Sequence, residues 1–343
     1  MRRIMVSLLT FVALLLPQTV FAAQPEVGVV TNFGPNLAAV CPMPEGLAID
    51  PTGNLYAASF AFKPVANICV ENRQGQVTDV IPVPAGKAGI ASLLGELFEP
   101  SQGLYVVDFA DGAPTNGRLL RIDVRTHAIT VLATGFQAPN AIAQDRHRNL
   151  YISDSFMGAI FKVAPDGSSN TVWLQDARLT PAAPGDGPPF GANGLAFDRN
   201  QDFLYVAQTH NDMVYRIPVE RDGSAGPLEL FASGAAIDAT QHTTEALHGA
   251  DGIMFDVRGN LYVCANSSQA PAPSLPGEIQ VLSPNAQLIA RYDGVGGNDL
   301  DFPASLVFHE RALYITNLSL DSAGVNSKLS VMGVPFPGLP LRP

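Results

Sequence analysis

Cysteine is scarce in this chain. Only Cys41, Cys69 and Cys264 occur, and no Cys-x-x-Cys pair exists, so a thiolate zinc site is disfavoured. Three further signatures are missing. Without a Gly-x-Ser-x-Gly elbow, a His-Glu-x-x-His pair or a Gly-x-Gly-x-x-Gly loop, serine hydrolase, zincin and dinucleotide-binding readings lack support. Basic residues are outnumbered, with 20 Lys and Arg against 31 Asp and Glu, for a net charge of −11. That balance disfavours nucleic acid and anionic membrane surfaces as partners. No stretch shows a convincing helical period, and only one long apolar run is present.

That run is N-terminal. Met1-Arg2-Arg3 precedes apolar Ile4 to Leu16, and Pro17 to Ala23 supplies small residues around Ala22, the form of a cleaved secretory signal over residues 1–22. Its apolar core is well short of the roughly 20 residues needed to span a bilayer. The expectation is an exported protein, periplasmic or extracellular, with no membrane span after signal removal and a mature net charge of −13. Cys41 and Cys69 could then pair in an oxidising compartment, whereas Cys264, inside the apolar run Leu261-Tyr262-Val263-Cys264, reads as a buried, inert thiol.

What the chain does have is a repeat. Ala250-Asp251-Gly252-Ile253-Met254-Phe255-Asp256, a tight turn and Leu261-Tyr262-Val263 are echoed from Glu45-Gly46-Leu47 to Leu55-Tyr56, from Asn140-Ala141-Ile142 to Leu150-Tyr151, and from Asn193-Gly194-Leu195 to Leu204-Tyr205. Weaker copies run from Ser305 to Leu313-Tyr314 and from about Ser92 to Leu104-Tyr105. Each is a strand, a turn and a strand, and the six copies lie about 50 residues apart. Such spacing predicts an all-β fold, a six-bladed β-propeller with four-stranded blades, as one domain over residues 26–334. The last blade lacks a fourth strand before the proline-rich tail 335–343, and the unclaimed strand Glu26 to Phe33 is expected to close the ring by joining it.

In a propeller the residues that open the inner strands lie together beside the axis. Here they are Glu45, Asn140, Asn193, Asp251 and Ser305. Loops after second strands rim the same end: Phe60 to Ala66, Asp111 to Gly117, Phe156-Met157, His210-Asn211-Asp212 and Asn266 to Pro276. Any one Asn-Gly or Asp-Gly is an ordinary turn. Oxygen donors at equivalent positions of four blades instead suit a divalent cation, Ca²⁺ first and Mg²⁺ or Mn²⁺ after it. Expected metal ligands are Glu45, Asn140, Asn193 and Asp251.

At these residues the chain resembles the gluconolactonase family, which includes regucalcin and bacterial lactonases. The likeness extends from Glu45 to about Met332 through Pro-Glu-Gly-Leu, Ala-Asn-Gly-Leu-Ala-Phe and Ala-Asp-Gly-Ile. It implies a cation in the central channel, usually calcium and sometimes zinc, held by Glu45, Asn140, Asn193 and Asp251. Asp251 also matches the family's general base. The expected reaction is opening of a small-molecule lactone or related ester, in which the cation polarises the carbonyl and activates water. His248 and His210, on the metal side, are candidates to orient substrate or shuttle a proton; His127, His147 and His309 fall on the far side. Two alternatives stay open: a non-catalytic, metal-braced propeller that binds a ligand or protein, and a propeller enzyme of the strictosidine-synthase type.

Overall fold

A computed structural model describes residues 24–181, 190–266, 277–294, 300–320 and 322–340; the expected signal segment lies outside them. Six four-stranded antiparallel sheets form the blades of a β-propeller. The inner strands are Pro44–Ile49, Leu93–Glu99, Pro139–Gln144, Ala192–Phe197, Ala250–Phe255 and Pro303–His309. Each pairs with the strand that follows it, and the chain then steps outward through a third and fourth strand.

The last blade is completed as the sequence reading expects. Thr31–Phe33 pairs antiparallel with Lys328–Gly333, matching Thr31 to Val331 and Phe33 to Leu329. The strand is shorter than the expected Glu26 to Phe33, although a bridge from Val27 to Gly333 extends the contact. First and last segments thus share one sheet, which covers an edge that would otherwise be open. Nearby, Cys41 and Cys69 are joined by a disulfide with 6.1 Å between Cα atoms, and Cys264 is buried and free.

The recurrent Leu-Tyr at the start of the second strands has a packing cause. Tyr56, Tyr151, Tyr205 and Tyr262 each contact a Phe on the inner strand of the following blade: Phe98, Phe197, Phe255 and Phe308, at centroid distances of 5.5, 5.1, 4.8 and 5.1 Å. Such ring pairs contribute about 0.5–1.5 kcal/mol beyond area burial. They join one blade to the next, so the repeated dipeptide marks an interface between blades.

One expectation is corrected. The chain has an α-helix, Gly234–Gln241, and a short 3₁₀ turn, Ala177–Leu179. Only Gly234 and Ile237 of the helix are buried, too few apolar positions to make a readable period. The proline-rich tail also has a fixed place. Val257 N donates to Pro337 O and Leu339 N to Phe255 O, 2.9 Å in both cases, and the Arg258 guanidinium lies over the Phe336 ring. The tail therefore docks on the fifth blade, at the end of the channel away from the first residues of the inner strands.

Candidate metal centre

Every inner strand is irregular at the same place. The register slips between Pro44 and Leu47, Leu93 and Glu96, Pro139 and Ile142, Ala192 and Leu195, Ala250 and Ile253, and Pro303 and Leu306. In each case three inner-strand steps face two on the partner, which is a β-bulge, a device that re-aims side chains. The second residue of each strand falls inside it: Glu45, Leu94, Asn140, Asn193, Asp251 and Ala304. Ser305 and Ser92 are consequently out of register with the donor position. Ser305 stands one residue beyond it, with its N–H on Thr316 Oγ1 at 2.9 Å.

The glycine after the donor also acquires a reason. A Cβ on Gly46 would meet the carbonyl oxygen of Leu94, one on Gly95 that of Asn140, one on Gly194 that of Asp251, and one on Gly252 that of Ala304. Each inner strand therefore packs its backbone against the next at this level, drawing the donors toward one axis. These glycines serve close approach within strands rather than turns.

Glu45, Asn140, Asn193 and Asp251 line one pocket of about 50 Å³. All four are buried. Glu45 Oε2 has no hydrogen-bond partner. Asp251 Oδ2 accepts from Asn266 Nδ2 at 3.1 Å, and Asn193 Nδ2 donates to Thr209 Oγ1 at 2.9 Å, whose hydroxyl donates to Ala250 O at 2.8 Å. With its amide nitrogen so anchored, Asn193 keeps its oxygen for another partner. Burial pushes the Asp251 carboxyl up to about 7, against hydrogen bonds from Asn266 and Asn193. Glu45 is held well above the usual carboxylate range by burial first, then by the Asp251 and Glu96 charges.

Two buried carboxylates with an unpartnered oxygen, beside two amides, make a site that wants positive charge. The donors are all hard oxygens, so the set fits a divalent cation of the calcium type. Among the described residues no three of His, Cys, Asp and Glu gather to hold an ion; the fit rests on the mixed set of carboxylates and amides.

The histidines stand outside this lining. His248 Nδ1 lies 3.2 Å from Glu245 Oε2 and 3.7 Å from Asp212 Oδ2, and the Asp212 carboxylate, followed by that of Glu245, raises its pKa. His210 follows Thr209 and donates its backbone N–H to Phe190 O at 3.1 Å. Thr209 and Asn266 were given no role by the sequence reading. Both are the first residue after a second strand, a position occupied by Phe60, Phe109, Ser155, Thr209, Asn266 and Leu318 around the ring. That second ring was legible in principle by counting from the Leu-Tyr pairs.

The larger cavity, about 440 Å³, opens at the other end of the channel. Its wall carries Leu47, Ile142, Leu195, Ile253 and Leu306, with Glu96 at the same register position, and Leu339 and Pro340 of the tail also line it. Both Glu96 carboxyl oxygens are buried and unpartnered. Its Asp145 and Asp198 carboxylates already accept from turn N–H groups, so the larger cavity is the poorer candidate for metal chemistry.

Comparison with known proteins agrees with the propeller fold. Residues 186–319 match the family model described as SMP-30/Gluconolactonase/LRE-like region. The fold is similar to that of a gluconolactonase from Xanthomonas campestris, at 16% identity and a TM-score of 0.60 over 92% of this chain and 96% of that one. Regucalcin from Agrobacterium tumefaciens, described as a calcium-binding protein, is similar at 16% identity and a TM-score of 0.59, covering 93% and 95%. A luciferin-regenerating enzyme gives 15% and 0.61, covering 90% and 97%. At such identities the structural likeness concerns the fold. No curated protein matches by sequence. The chain is a six-bladed propeller whose residues 186–319 match the SMP-30/gluconolactonase/LRE-like region.

Proposed function

We propose that this protein is an exported hydrolase, periplasmic or extracellular, that depends on a divalent cation and opens a lactone or related ester. The observation that carries the reading is the convergence of Glu45, Asn140, Asn193 and Asp251 on one buried pocket, with two raised carboxylates and an unpartnered oxygen. The family match over residues 186–319 and the similarity to a gluconolactonase support the substrate class; a similar protein described as calcium-binding supports the choice of cation. The Cys41–Cys69 disulfide supports an oxidising compartment.

Glu45, Asn140, Asn193 and Asp251 would hold the ion, which when bound supplies a Lewis acid for the carbonyl and lowers the pKa of water. The chain's own residues account for the rest. Asp251, oriented by Asn266 through its Oδ2, accepts the proton of the attacking water. It returns that proton to the ring oxygen as the acyl–oxygen bond breaks, leaving a hydroxy acid. Thr209 fixes the Asn193 amide so that its oxygen faces the pocket. His248 and His210 take supporting roles, since neither lines the pocket.

The test is hydrolysis of a lactone panel by mature protein, with EDTA and then added Ca²⁺, beside Asp251→Ala and Glu45→Gln. Activity removed by chelator, restored by Ca²⁺ and absent in Asp251→Ala is the expected result. A protein that turns over no lactone or ester, yet melts higher with Ca²⁺, overturns the hydrolase reading and makes the ion a brace.

A further inference from the structure

The residues around the metal-side opening divide it into unlike halves. Blades three, four and five place polar side chains both inside the bulge and after the second strand. Blades six, one and two place Ala304, Leu94, Leu318, Phe60 and Phe109 at those positions, with Glu45 the one exception. The apolar surface continues outward and reaches two rings beside the polar half, Phe156 after the second strand of blade three and Phe190 before blade four. Phe60 and Phe190 both line the pocket. Phe60 contacts Phe62 at 4.6 Å and Phe109 at 5.7 Å, and Phe190 contacts Phe156 at 5.9 Å and Phe109 at 6.2 Å. Phe62 is 46% exposed. Five rings thus form one apolar surface from the donor pocket to solvent.

The polar half has little to spare. Among the described residues lining the pocket, none is Lys, Arg or His. Thr209 both accepts from Asn193 and donates to Ala250 O, and the Asn266 amide nitrogen is spent on Asp251. Among the described residues lining the pocket, and outside the expected ligands, only Asn266 Oδ1 is a buried oxygen with no partner. A site that selects a polyhydroxylated ring needs a partner for each hydroxyl, and each hydroxyl laid on phenylalanine would lose its water without replacement.

We propose that the molecule seated here is an apolar lactone or ester, an aliphatic ring or acyl chain bearing one carbonyl, and not a sugar lactone. The carbonyl lies over the donors of blades three to five while the chain lies along Phe60, Phe190 and Phe62. The proposal rests on the hydrolase reading only for the nature of the reacting group.

The experiment compares γ-lactones whose alkyl substituent lengthens from none to six carbons with glucono-1,5-lactone. In parallel, thermal protection is measured with the matching non-hydrolysable γ-lactams, in Ca²⁺. Each methylene covered by the aromatic surface is expected to raise kcat/KM, and lactam affinity, roughly threefold to fourfold. Phe190→Ser and the surface variant Phe62→Ser, the latter at an exposed position that tolerates a polar side chain, are expected to reduce that chain-length slope. A flat slope, or preference for glucono-1,5-lactone, overturns the proposal. If no lactone is opened but lactam affinity still climbs with chain length, the hydrolase reading fails while the apolar-ligand inference stands. Absence of both effects overturns both.

Discussion

Two sets of acids repeat from blade to blade, and their surroundings are opposite. Asp50, Asp145 and Asp256 open the turns between inner and second strands. Asp50 accepts from Thr52 N and Oγ1, Asn54 N and Nδ2, and the Tyr56 hydroxyl. Asp145 accepts from His147 N, Asn149 N and Nδ2, and Tyr151; Asp256 from Arg258 N and both nitrogens of Asn260. The hydrogen bonds outweigh burial at Asp50, whose carboxyl is lowered. At the channel, Glu45 and Asp251 are more buried than Asp50 and have fewer donors, and both carboxyls are raised. The difference teaches that repetition marks two unrelated things in this chain: acids the fold has already satisfied, and acids it leaves for a ligand. Glu71 limits the rule. It is buried with both oxygens unpartnered and pushed up to about 8, yet it packs against the Gly34 backbone and lines neither cavity described above, so unpartnered burial without convergence makes no site.

The comparison can be broken where its consequences are largest. Asp251→Ala is expected to lower kcat/KM by about 10³-fold, within the range for a general base, without lowering the melting temperature in EDTA. A variant that loses stability in step with activity would place Asp251 among the structural acids.

Next comes Glu71. Its native pKa is raised, so the folded form keeps the proton to higher pH than the unfolded chain. Stability is then fullest below about pH 4.5 and declines as pH rises toward 8, by on the order of 3 kcal/mol. Glu71→Gln is expected to flatten that decline, read from urea midpoints at pH 5 and pH 8.

Asp256→Ala removes a satisfied turn acid. A loss of about 2 kcal/mol is expected from three hydrogen bonds, without change in turnover per folded molecule. Unchanged stability would show that its bonds are replaceable by water.

The smallest effect sharpens the channel side. Raised carboxyls must lose protons to accept an ion, so Ca²⁺ affinity is expected to rise with pH through the region near 7 where Asp251 titrates. The apo protein loses stability over the same interval, and the Ca²⁺-induced rise in melting temperature grows with pH. Calorimetry at pH 6 and pH 8 reads this directly, and a pH-independent affinity would mean that Glu45 and Asp251 are not the ligands.

Much of this was open to sequence reading for a definite reason. A propeller repeats one packing problem six times, so Leu-Tyr pairs, turn acids and inner-strand donors recur at nearly constant spacing, and the ring closure follows from a missing last strand. The weakest copies mislead by one position at Ser305 and by two at the approximate start Ser92, since the bulge puts Ala304 and Leu94 level with the donors. A bulge changes register without changing composition, which leaves no trace in a single sequence. The short helix Gly234–Gln241 was missed because one turn of it reaches the core.

By itself the sequence determined the six-bladed, four-stranded ring, the strand that closes it, and the four oxygen donors as one set, since each depends on period and residue type. Tertiary structure decided the rest. Only folding distinguishes an acid ringed by N–H groups from one facing the axis, seats Thr209 and Asn266 behind the donors, gathers five phenylalanines from four loops, and lays the proline-rich tail against the far cavity. Those arrangements depend on distances between residues remote in the chain, and hydrogen-bond satisfaction and apolar contact are set by distance, not by order.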